Sequence, residues 1–191
     1  MPARYGVGAI APSGNARHIA GMAPSSTILS NVRGAAWVAI LGSAAALGAA
    51  LAFERWLGLV PCALCLWERW PYRVAIALGL LALALPRRAA RWALVAAALA
   101  LLPGVALAAV HVGVEQHWWP SPLPECAAPT LGGGSIAERL ARMPATVSKP
   151  CDEPTFLVPG LPVSMAGMNL VFALALAGFL AISASRQRGT A

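Results

Sequence analysis

Residues 61–85 read PCALCLWERWPYRVAIALGLLALAL, and how often the chain crosses a membrane turns on where a helix begins within them. The uncharged part, 74–85, is too short alone: at ~1.5 Å per residue it covers about 18 Å, against a hydrocarbon core of ~30 Å. It spans only if the helix starts upstream, inside the segment that holds two thiols, a glutamate and an arginine. Glu68, Arg69 and Arg73 then lie at headgroup level rather than in lipid.

Working outward, residues 34–53, 92–114 and 156–185 hold no Asp, Glu, Lys or Arg, and each is long enough to cross as a helix. The whole chain is 59% hydrophobic and 11% charged, where soluble domains carry roughly 25% charged residues. The expected fold is therefore an all-α integral membrane protein, a four-transmembrane-helix bundle. Its spans fall at about 34–53, 66–85, 91–112 and 163–184. Extracytoplasmic loops at about 54–65 and 113–162 join them, the second long. Residues 34–188 form this membrane domain. Residues 1–33, rich in Gly, Ser, Pro and Ala, read as a disordered cytoplasmic tail, and translation from Met22 would still leave Arg33 ahead of the first span. The first apolar run exceeds the core of a secretory signal and is read as a retained span.

Arginine sets the orientation. Arg4, Arg17, Arg33, Arg87, Arg88, Arg91, Arg186 and Arg188 fall on one face, which the positive-inside rule makes cytoplasmic, with both termini there. All seven acids fall on the other face. The formal charge of +7 is accordingly topology and lipid contact. A nucleic-acid footprint would need a basic patch interleaved with stacking aromatics, and there is none. Trp37, Trp56, Trp70, Trp92, Trp118 and Trp119 sit near span ends as interfacial anchors.

This topology puts all four cysteines outside, as two pairs: Cys62 with Cys65 in the first outer loop, Cys126 with Cys151 in the second. That compartment is oxidising in bacteria. Structural zinc on four thiols is a poor fit, because Cys126 and Cys151 lie 25 positions apart, and no metal is expected. A stabilising staple would account for the second pair. It accounts poorly for C-x-x-C, whose small ring restrains little chain entropy and is typical of dithiols that cycle. If residues 65–73 are helical, Cys65, Arg69 and Arg73 share a face. The helix N-terminus and the guanidinium then both favour thiolate, and the guanidinium can also donate to a carbonyl such as that of a quinone. Arg69 could otherwise simply snorkel or pair with Glu68. Pro71 leaves two starts open, one near Cys65 with a kink and one at Pro71 itself.

The segments PCALCLWER (61–69), WPSPLPEC (119–126) and PCDEPTFL (150–157), in this order among four apolar runs over about residues 34–188, resemble the bacterial disulfide bond formation protein B family, DsbB. The resemblance implies a bacterial inner-membrane oxidoreductase that reoxidises a periplasmic thioredoxin-like thiol oxidase of the DsbA type, a system that keeps the periplasm oxidising. Carried over residue by residue, Cys126 forms the mixed disulfide, Cys151 resolves it or links to Cys62, and Cys65 faces ubiquinone or menaquinone from the membrane pool beside Arg69. Some members place a histidine at the end of the third span; Gly113 falls opposite it here, leaving His111, and beside it His117, as candidates for the quinone site. The prolines around Cys126 suggest a loop held extended and open to a partner. Ser135 and Glu138 have capping-box spacing ahead of Ile136, Leu140 and Met143, a short amphipathic helix for the bilayer surface. The rival readings are a structural or transport tetraspan with outer staples, and an enzyme like vitamin K epoxide reductase.

Overall fold

The structure, a computed structural model, describes residues 31–126, 135–141, 149–157, 160 and 162–187. The expected tail at 1–30 and the alternative start at Met22 lie outside the described residues. Residues 31–33, assigned to that tail, instead open a helix: the Asn31 side chain accepts the Arg33 N–H at 3.1 Å and caps α1, Val32–Trp56. After it come α2 (Ala63–Trp67), α3 (Arg69–Ala84), α4 (Arg87–Glu115), α5 (Ile136–Ala141) and α6 (Met165–Arg186), with a 3-10 turn at Pro124–Cys126. There is no strand among the described residues. Three helices, α1, α4 and α6, are long and apolar enough to cross a membrane. At 16 residues, α3 is shorter.

Of the two expected starts, residues 61–85 adopt the one near Cys65, and the expected kink is a break. The helix begins at Ala63, stops at Trp67, turns at Glu68 and resumes at Arg69. Pro71 is the reason. It has no N–H for the carbonyl of Trp67 four residues back, so the break falls one turn before it. Buried Pro71 then seats on α4 at Gly104, where an added Cβ would lie 3.0 Å from the proline Cγ.

In lipid, helices gain little from apolar contact as such and rely on close approach. The core is accordingly alanine-rich. Ala35, Ala36 and Ala39 of α1 meet Ala75 and Ala82 of α3 around Gly79, whose added Cβ would stand 2.8 Å from Ile40 Cγ1. Helix α3 packs on α4, α4 on α6, and α6 returns to α1. Trp37, Leu41, Leu99, Leu102, Val171 and Leu174 point outward, a surface too apolar for water and matched to lipid chains. Arg33 and Arg87 line a small cavity at one end of the bundle, while Glu54, Glu68 and Glu115 line a larger one at the other.

Candidate functional site

At the acidic end, Cys62 is the N-cap of α2: its Sγ accepts the Cys65 N–H at 3.2 Å. Both residues are thiols, with their sulfurs 2.8 Å apart. Since Cys62 already receives a backbone donor, the charge of a singly ionised pair settles there, and Cys65 S–H donates. The hydrogen bond from Cys65 lowers the Cys62 thiol against the opposing cost of burial. The same bond raises Cys65 above the ordinary thiol range, and burial adds to the rise. The shared-face expectation is corrected in two respects. The favoured thiolate is Cys62, because the helix starts one residue after it, and the Arg69 guanidinium is already paired with Glu54 of α1. Arg73 faces outward, its guanidinium over the Trp70 ring.

Glu68, at the break, joins three helices. His111 of α4 donates Nδ1–H to Glu68 Oε1 at 2.9 Å, and Asn169 of α6 donates to Oε2 at 2.8 Å. Tyr72 of α3 in turn donates its hydroxyl to Asn169 Oδ1 at 2.6 Å. With its Nδ1 proton held on Glu68, the imidazole presents Nε2 to Cys62 Sγ, 3.5 Å away. Thiol, imidazole and carboxylate thus stand in the order of an activated nucleophile. On the rim, Ser164 caps α6 by accepting the Gly167 N–H at 3.1 Å and donates its hydroxyl to Glu115.

Cys126 and Cys151 form a disulfide and are 2% and 1% exposed. They pack with Cys62, Leu64 and Val114 in one apolar cluster, so both sulfur pairs share a single packed unit. The expectation of an extended, open loop around Cys126 is corrected here. The prolines shape a 3-10 turn that folds the segment down, and Trp119 anchors it by donating to the Val110 carbonyl at 3.2 Å. Trp119 lies over Gly113, where any Cβ would come within 2.0 Å of the ring. Position 113 therefore has no room for a histidine.

Of the two candidate histidines, His111 is 4% exposed and lines the site. His117 has left-handed backbone, φ 58°, and turns the chain out of α4 into solvent. A cavity of about 420 Å³ collects Cys62, Cys65, Arg69 and His111 with apolar walls from Ala46, Ala50, Phe53, Met165 and Phe172. The capping box is present: Ser135 N–H donates to Glu138 at 3.0 Å and Glu138 N–H to Ser135 Oγ at 3.3 Å. Ile136 of α5 is 78% exposed. The Leu140 side chain and Met143 lie outside the described residues.

Sequence reasoning missed Glu54, Glu68, Asn169, Tyr72 and Ser164. Glu68 offered the one available signal, a full charge inside the cysteine motif, yet it entered only as an alternative partner for its neighbour Arg69. The others lie 15 to 101 positions from the groups they bond, beyond the reach of local pattern.

A protein-family model described as disulfide bond formation protein DsbB matches residues 32–183. No curated protein and no solved structure matches the chain.

Proposed function

The chain belongs to the DsbB family of disulfide bond formation proteins, membrane oxidoreductases, and from that premise we propose that it is a quinone-dependent thiol oxidase of the bacterial inner membrane. It crosses four times, the second span running from about residue 66 through α3, with both termini in the cytoplasm. Its substrate is the dithiol of a periplasmic thioredoxin-like oxidase of the DsbA type.

A partner thiolate attacks Cys126 Sγ, breaks the Cys126–Cys151 bond and forms a mixed disulfide; the partner's second thiolate resolves it and leaves oxidised. Cys151 then attacks Cys62 Sγ, releasing Cys65 as leaving thiolate, and Cys126 closes on Cys151 to regenerate the outer disulfide. Two electrons have moved inward. The geometry suits the next proton transfer: His111 takes the Cys62 proton at Nε2 while Glu68 holds Nδ1–H, leaving a thiolate at the cavity wall.

A cavity with mostly apolar walls that also gathers charged and polar side chains suits the ring and tail of a quinone, with Arg69 and His111 as the side chains that would hold its oxygens. Bound there, ubiquinone or menaquinone supplies a two-electron, two-proton acceptor. The observation that carries this reading is the packing of both cysteine pairs into one cluster at that cavity. A pair of independent staples has no need of such proximity.

The test uses full-length protein in detergent, a reduced thioredoxin-like oxidase and ubiquinone. Loss of quinone absorbance at the rate of partner oxidation, abolished by Cys126→Ser and by Cys65→Ser, is expected. Partner that stays reduced, with all four cysteines unchanged, would return the chain to the structural tetraspan reading.

A further inference from the structure

Cys62 Sγ, Cys65 Sγ and a ring nitrogen of His111 lie within 4.8 Å of one another. We propose that, in the dithiol state, these three side chains bind one thiophilic divalent cation of the zinc class, and that its occupation locks the pair reduced. The ligand set differs from the four-cysteine arrangement that the sequence disfavours. Here Cys126 and Cys151 are consumed in a disulfide, and a histidine 49 positions from Cys62 takes their place.

Three observations carry the assignment. The distances are near those required: with metal–sulfur and metal–nitrogen bonds of about 2.3 and 2.0 Å, tetrahedral ligand atoms stand roughly 3.3–3.8 Å apart. Cys62 Sγ and His111 Nε2 are already 3.5 Å apart. The sulfurs, at 2.8 Å, need to part by about an ångström, a rotamer adjustment open to half-buried Cys65. Next, Glu68 holds Nδ1–H at 2.9 Å, the carboxylate–histidine pairing that fixes the tautomer of metal-bound imidazole and aims its other nitrogen at the ion. Finally, Cys62 and His111 are buried and held from separate helices, so the site is largely built beforehand, and the cavity leaves a fourth position for water.

Binding moves no electrons. Two thiols release two protons, two thiolates and one neutral imidazole donate lone pairs, and the ion gives up water. A Cys62–Cys65 disulfide has no thiolate to offer, so cation and disulfide exclude each other. Metal binding is independent of the oxidase reading, because it requires only the thiol state and no partner or acceptor.

The experiment reduces full-length protein in detergent, titrates Zn²⁺, pulses with a small alkylating reagent and quantifies each cysteine by peptide mass spectrometry. Zn²⁺ should shield Cys62 and Cys65 at concentrations that leave Cys126 and Cys151 open, and a chelator should reverse it. Glu68→Gln should raise the half-protecting concentration about 10–100-fold, and His111→Gln at least as much, with helical content checked by circular dichroism. Equal shielding of all four cysteines would overturn the site. So would half-protection unchanged in both variants; if one fails to fold, the other decides.

Discussion

Replacing Asn169 by alanine tests the polar junction that holds Glu68 in place. The substitution deletes two interhelical hydrogen bonds at once, the donor to Glu68 Oε2 at 2.8 Å and the acceptor of the Tyr72 hydroxyl at 2.6 Å. In a water-soluble core each orphaned group would cost ~1–3 kcal/mol. Between membrane helices such bonds average about 0.6 kcal/mol and reach about 1.7, because helices separated within lipid find substitute partners. Two of them give a loss of about 1–3 kcal/mol, with Tyr72→Phe alone costing about half as much. The double variant should cost less than the sum of the singles by about 0.6 kcal/mol, the share of the bond they have in common. Unfolding by a denaturing detergent in mixed micelles, followed by circular dichroism, measures all three. The same variant frees one oxygen of Glu68 and loosens its grip on His111 Nδ1, so the pH profile of Cys62 exchange should move while KM for the partner stays put. Strict additivity of the two substitutions, with an unmoved pH profile, would show that Asn169 does not link Tyr72 to Glu68.

The geometry makes three further outcomes measurable. At neutral pH a small neutral alkylating reagent should modify Cys62 before the more exposed Cys65, since the thiolate reacts and the Cys65 hydrogen bond lowers Cys62 while raising Cys65; labelling in order of exposure would refute the assignment. Arg69→Gln should raise KM for quinone about tenfold, with lysine restoring part of the loss, and should also weaken the bundle because it leaves Glu54 without its partner; steady-state quinone kinetics decide it. Gly79→Leu should destabilise the bundle by about 1–3 kcal/mol in the same detergent titration, because the space beyond its Cα holds Ile40 at 2.8 Å and the Ala36 carbonyl at 3.3 Å.

The apolar runs made α1, α4 and α6 legible, since twenty or more uncharged residues have few other fates. The break at Glu68 was less so. Pro71 announced a disturbance and its missing N–H places the break one turn upstream, but its seat against Gly104 is a contact between helices that no local pattern shows. At the site, spacing alone exposed the C-x-x-C pair, and the charge beside it drew notice. The partners were out of reach: the sequence set Arg69 toward the thiols, with Glu68 as its alternative partner, whereas the folded helices give Glu54 to the first and His111 to the second. Position 113 shows the same limit from another side. Its glycine looked like a missing ligand and is the floor beneath Trp119.

The sealed outer disulfide has a consequence for selectivity of traffic. With Cys126 and Cys151 almost wholly covered, a stray small thiol colliding with the surface reaches their sulfurs only when the segment opens, so its exchange is slow. A macromolecule that grips the proline segment and lifts it from Leu64 and Val114 would open that path far faster. On the proposed oxidase reading, the lid insulates the membrane's oxidising power from wasteful short-circuit.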